Sequence, residues 1–215
     1  YHSLTGNMSG CLLGEYVLSQ MKEKGLLTDD GFVVRSIVTT RMLDAIANGY
    51  HVDLVEVLTG FKYIGQKILE SETSGIGTYL FGMEESYGCL PGTYARDKDA
   101  VVASMILCEM AAYYKSKNQT LWDGMLSLYE TYGYYEDQIL SVTMEGKDGL
   151  MKIQQIMKQL EQEERPEIGG YKVLRRRNYQ SGLIDNYETK QQEMTNLPQT
   201  NALYFDLEGD GFACV

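Results

Sequence analysis

The sequence predicts an α/β fold, and three features carry that expectation. Short β-branched apolar runs alternate along the chain with stretches of helical apolar spacing, as βα units do when they feed a parallel sheet. Thr or Asp residues stand ahead of the helical stretches and Gly residues follow them, so each stretch has a start and a stop. Apolar residues make up 44% and charged residues 23% of the 215 residues, enough apolar material for a real core.

Met8, Cys11, Leu12, Tyr16, Leu18 and Met21 fall near helical spacing and Gly25 follows, which predicts an amphipathic helix over 7–24. Phe32 to Val38 reads as a strand, Thr39 and Thr40 as an N-cap, and Arg41 to Asn48 as a short helix stopped by Gly49. His51 to Leu58 alternates as a strand, and Thr59 is predicted to cap a helix from Gly60 to about Ser71. Thr78 to Met83 is a third strand, running into Glu84-Glu85-Ser86-Tyr87-Gly88 before Pro91-Gly92 breaks the backbone. In the helix expected over 98–117, Val101, Val102, Met105, Ile106, Cys108, Met110 and Ala112 cover more than one face, which predicts a largely buried helix. Thr120 to Tyr132 is predicted as a helix stopped by Gly133, Tyr135 to Met144 as a strand, and Leu150 to Glu161 as a helix.

Glu161 to Gly170 is charged and then holds Pro166 and Gly169-Gly170, a composition of the kind that marks a linker, so domains over 1–165 and 166–215 are expected. In the second, Tyr171 to Arg177 is a strand, and Ala202 to Leu207 pairs with Phe212 to Val215 across Glu208-Gly209-Asp210-Gly211. Its apolar residues look too few for an independent core. Tyr1 is not an initiator Met, and the chain closes on the apolar run from Phe212, so an excised fragment is expected.

A formal charge of -11 opposes nucleic acid as a partner, because the only dense basic run is Arg175-Arg176-Arg177. No stretch reaches the roughly 20 apolar residues of a membrane span, so no membrane partner is expected. Cys11, Cys89, Cys108 and Cys214 are scattered and form neither a zinc pattern nor a disulfide framework, which fits a reducing cytoplasm.

Strand C-terminal ends in open α/β sheets are where ligands bind, so the loop after the third strand is the first candidate site. Glu84, Glu85 and Ser86, held between Gly82 and Gly88, offer acceptors and a donor suited to vicinal sugar hydroxyls; the alternative is a solvated acidic turn. Lys62 lies three residues after Thr59, in the first turn of a helix, where the dipole disfavours a cation and an anion bound at the terminus reverses the sign. A phosphate would explain it; an exposed lysine tolerated at small cost would too. Arg96 and Lys98 add positive charge ahead of the long helix, as an anionic substrate requires, although ion pairs with the adjacent Asp97 and Asp99 are an equal contender. No metal-ligand pattern emerges, since Glu208-Gly209-Asp210-Gly211 carries too few oxygen ligands and reads as a turn. The seventeen tyrosines read as packing and interface material.

Leu4-Thr5-Gly6-Asn7, Thr59-Gly60-Phe61-Lys62, Gly82-Met83-Glu84-Glu85-Ser86-Tyr87-Gly88 and Arg96-Asp97-Lys98-Asp99, in this order and spacing, resemble the α-D-phosphohexomutase family, particularly its phosphoglucomutase branch. The resemblance implies a mixed β-sheet flanked by helices on both faces over 1–165, the third of four domains with its linker. It implies that 166–215 begins a fourth, small α+β domain, here truncated. It also implies an intramolecular phosphotransferase that interconverts hexose 1-phosphate and 6-phosphate through a phosphoserine and a hexose 1,6-bisphosphate intermediate. The phosphoserine and the Mg²⁺ loop would lie outside this segment, leaving no catalytic residue and no metal ligand within it. Carried over residue by residue, Glu84 and Ser86 resemble the sugar-hydroxyl ligands with Glu85 beside them, and Lys62 resembles a cleft lysine near the reacting phosphate. Arg96 and Lys98 are weaker transfers. Gly88 stands where the phosphomannomutase branch has a His, and Ala100 replaces a Gly common after the Arg-Asp-Lys-Asp run. A sugar phosphate and the remaining domains of the parent chain are the implied partners. A non-catalytic sugar-phosphate-binding module and a phosphopentomutase-type relative are the alternatives.

Overall fold

In a computed structural model describing residues 2–215, strands β1 (Gly31–Ser36), β2 (Asp53–Val57) and β3 (Thr78–Met83) form the parallel part of a four-stranded sheet. Its order is β2-β1-β3-β4, with β4 (Cys89–Pro91) antiparallel at one edge, so the sheet is mixed. Every residue of β1 is buried, which is why the central strand reads as a continuous apolar run. Alternation sends Val33 to one face and Phe32 and Val34 to the other. A register shift between Phe32 and Val33, opposite Tyr79 and Phe81, places Leu80 and Phe81 together on the Val33 side.

Helices α1 (Gly6–Glu23), α2 (Met42–Tyr50), α4 (Ala100–Ser116) and α5 (Leu121–Tyr132) pack on the Val33 side. Helix α3 (Phe61–Ser74) covers the other with Phe61, Ile64 and Ile68. Gly82 lies beneath α3, and a Cβ there would stand 2.7 Å from Ile64 Cγ2. The α/β layering expected from the sequence is therefore present. Tyrosines serve as packing with polar tips: Tyr50 and Tyr132 donate to the two oxygens of Glu15 at 2.6 and 2.9 Å, and Tyr16 donates to Glu109.

Local expectations fail in identifiable places. Helix α2 runs past Gly49 to Tyr50, and His51, not the glycine, takes the left-handed conformation that ends it (φ 57°). Gly60, not Thr59, is the N-cap of α3, with φ 120° and no side-chain cap. Residues 135–144, expected as a strand, join neither sheet. Helix α4, expected to be largely buried, buries only Met110 completely, because one face alone meets the core.

The chain divides into two compact units, Tyr1–Gln138 and Ile139–Val215. Sequence composition places the change near residue 165. Helix α6 (Gly146–Gln162) packs with the second unit instead, since Met157 and Leu160 join Val173, Leu203, Phe205 and Leu207. The second unit thus has a small core of its own, contrary to the expectation from its few apolar residues. Its antiparallel sheet has the order β10 (Phe212–Cys214), β9 (Leu203–Leu207), β6 (Tyr171–Asn178), β7 (Leu183–Asn186), β8 (Gln192–Met194), with β5 (Glu167–Ile168) paired to β6. Strands β6, β9 and β10 match the sequence reading, whereas β7 and β8 were not anticipated.

The arginine run is consumed by acids on β6's neighbours. Arg177 and Arg175 share Asp206, at 2.7 and 3.1 Å, and Arg176 takes Asp185 at 2.7 Å. Burial raises the pKa of Asp185, but hydrogen bonds from Gln192 and Arg176 outweigh it and hold the carboxyl below the ordinary range. A depressed folded-state pKa contributes stability that is present above the unfolded value of about 3.9 and lost as pH falls through the folded value. Asp185→Asn is expected to flatten this part of the acid-unfolding curve, as urea titrations at successive pH values would read.

Candidate functional site

Because β1, β2 and β3 are parallel, the loops that follow them all open at one edge of the sheet. Two adjacent glutamates at the end of β3 tie the three loops together. Glu84, only 3% exposed, accepts the Gly60 N–H at 2.7 Å and so holds the β2–α3 loop. Glu85 turns the other way and accepts from Ser36 at the end of β1 and Thr39 of the β1–α2 loop, at 3.3 and 3.2 Å. A buried carboxylate requires such partners. The second oxygen of Glu84 faces Lys98 Nζ at 3.4 Å, and the lysine side chain is 51% exposed.

The turn itself is a hairpin between β3 and β4. Glu84 N–H donates to the Gly88 carbonyl at 2.8 Å, leaving a three-residue loop whose last residue takes the left-handed conformation, as such loops do. That residue is Tyr87 (φ 64°), where glycine is the usual choice. Its hydroxyl donates to the Leu4 carbonyl at 3.3 Å. Gly6 lets the start of α1 approach the loop from beneath: a Cβ there would lie 1.7 Å from the Glu85 carbonyl oxygen. Asn7, buried one residue later, accepts the Thr40 N–H. Gly88 leaves space that Lys98 fills, since a Cβ would stand 2.8 Å from Lys98 Cδ.

The predicted residues are distributed accordingly. Glu84 and Lys98 meet at the Gly60 corner, Glu85 faces Ser36 and Thr39, and Ser86 is exposed at the tip of the turn. Lys62 is exposed in the first turn of α3, its Nζ 4.8 Å from the Tyr63 ring. Arg96 is directed elsewhere: it pairs with Glu72 on α3 and donates to the Thr93 and Ala95 carbonyls. Sequence reasoning did not assign Ser36, Thr39 and Gly60 to the site. The signal for Gly60 is its place directly before a helix that has no side-chain cap. Among the described residues no three His, Cys, Asp or Glu side chains are placed to hold a metal. Chemically, the edge offers anchored carboxylate acceptors, a hydroxyl and a lysine ammonium, which suits polyol and anion recognition.

Residues 5–132 match the family model described as phosphoglucomutase/phosphomannomutase, alpha/beta/alpha domain III. The chain is 31% identical over 212 residues to a phosphoglucomutase of Staphylococcus saprophyticus, covering 99% of this chain and 38% of that protein. A phosphoglucomutase of Staphylococcus aureus is 32% identical over 198 residues, which is 92% of this chain and 35% of that one. The chain thus spans well under half the length of these relatives. Among solved structures, the Paramecium phosphoglucomutase pp63/parafusin, in its open form, shares the fold with a TM-score of 0.56 at 18% identity, over 97% of this chain and 33% of that chain. With the sheet, the helix layers and the loop edge all falling within the matched region, the chain belongs to the phosphoglucomutase/phosphomannomutase family.

Proposed function

We propose that the chain supplies the sugar-phosphate recognition part of a phosphohexomutase, in which the Glu84–Gly88 turn grips the sugar hydroxyls. The carrying observation is the double anchoring of that turn, with Glu84 on Gly60 and Glu85 on Ser36 and Thr39, at the edge where the parallel strands end. A mutase must accept one sugar in two orientations, and fixed acceptors beside a hydroxyl tolerate the exchange of ring hydroxyls that this entails. Glu84, Glu85 and Ser86 are assigned to the sugar, and Lys62 and Lys98 to the phosphate side, which Arg96 would join only by leaving its pair with Glu72. No residue of the segment is assigned to catalysis. Hexose 1,6-bisphosphate is the proposed intermediate. Mg²⁺, with its ligands elsewhere in the parent chain, would neutralise charge on the transferred phosphoryl group.

Residues 1–165 are proposed as the third domain with its linker and 166–215 as the start of the fourth, with the rest of the parent chain as partner. The cytoplasm is the proposed compartment, supported by four free cysteines in a chain without a membrane-spanning helix among its described residues. The full-length polypeptide is expected to convert glucose 1-phosphate to glucose 6-phosphate and the 215-residue chain to convert neither. Turnover by the short chain, or none by the full-length protein with any hexose phosphate, would overturn the proposal.

A further inference from the structure

The solvent-facing side of α3 is largely polar, with Gln66 and Lys67 both bonded to Glu70. Helix α4 is built differently. Ala103, Ile106, Leu107, Met110 and Tyr114 point into the core of the first unit. Spaced four, three and four residues apart on the opposite side, Val101, Met105, Cys108 and Ala112 are all exposed, Val101 by 79% and Met105 by 60%. The one charged residue between Val101 and Ala112 is Glu109, and it accepts the Tyr16 hydroxyl at 2.9 Å. A helix with apolar residues on two opposite faces is one built to pack on both.

We propose that this face of α4 docks against another domain of the same parent polypeptide. The inference rests on the reading of the chain as part of a longer mutase, and the relatives supply the occupant: this chain accounts for 38% of the S. saprophyticus protein while aligning over 99% of itself. The size of the stripe argues against a free partner. It runs about 16 Å along a helix about 10 Å wide, far below the roughly 800 Å² per partner of an independent dimer. A covalently tethered domain needs much less, because its effective concentration is set by the linker. The absence of Lys and Arg between residues 101 and 112 gives no purchase for lipid headgroups.

Cys108 lies in the stripe and reports on it directly. Maleimide labelling of native protein, read by peptide mass, is expected to modify Cys108 readily in the 215-residue chain and at least tenfold more slowly in the full-length protein. Met105→Glu should restore labelling in the full-length protein. Buried Cys11 and Cys89 stay unreacted wherever the domain is folded and serve as the internal control. Equal Cys108 rates in both proteins, protection already present in the short chain, or protection lost on dilution, which marks a second copy, would each overturn the proposal. Turnover with an unprotected Cys108 removes the docking face and leaves the mutase reading; protection without turnover does the reverse.

Discussion

Replacing Glu84 with Ala is expected to weaken hexose-phosphate binding by the full-length protein about a hundredfold. The carboxylate proposed to accept from a sugar hydroxyl is lost, a charge-assisted hydrogen bond worth about 1.5–3 kcal/mol. Losing about 3 kcal/mol of positioned interaction corresponds to roughly that factor in affinity. The effect also reaches the backbone, because an N-cap with φ 120° and no side-chain cap relies on Glu84 to fix its N–H. Glu84→Gln keeps an acceptor for Gly60 and loses only the charge facing Lys98, so a loss of about tenfold is expected. Calorimetric titration with glucose 6-phosphate would separate the two variants; equal losses would mean that the backbone tether contributes nothing.

Gly6→Ala is expected to cost about 3 kcal/mol of stability, because its Cβ would meet backbone that cannot rotate away. The obstruction is the Glu85 carbonyl, 1.7 Å from the ideal Cβ position, with Tyr87 N at 2.9 Å. Either α1 or the turn must move. For a unit of this size the loss corresponds to about 10 °C in Tm. Gly25→Ala isolates the conformational cost: its φ is positive (67°), unlike that of the helical Gly6, and nothing lies within 4 Å of its Cβ, so it costs only about 1 kcal/mol of backbone strain. A melting loss for Gly6→Ala no larger than that of Gly25→Ala would show that close packing against the turn does not explain Gly6.

Period and punctuation made most of the first unit legible before its structure was known. The limits of β3 at Thr78 and Met83 follow from a clean apolar run, and α5 begins at Thr120 through a capping box with Asp123. Misreadings arose where tertiary context decides. The apolar surplus of α4 says that the helix wants covering but not that this chain covers one face alone. The 135–144 segment has strand composition, but pairing needs an available edge, and it joins neither sheet. Strands β7 and β8 are only four and three residues long and mix apolar with polar residues, so their ladder pairing leaves almost no trace in hydropathy. At the site, Glu84 and Glu85 were legible as adjacent acceptors on a strand end. Their opposite tethers to Gly60 and to Ser36 and Thr39 were not, because such pairs join residues far apart in sequence.

The central claim, that the Glu84–Gly88 turn contacts the sugar, is tested most directly by amide NMR on the full-length protein during titration with glucose 1-phosphate and then glucose 6-phosphate. The account predicts saturable shifts at Glu84 to Gly88 and at Gly60 with both ligands, since the same turn must read both orientations. Saturable binding that leaves these amides unmoved, or no binding of either ligand, would contradict it.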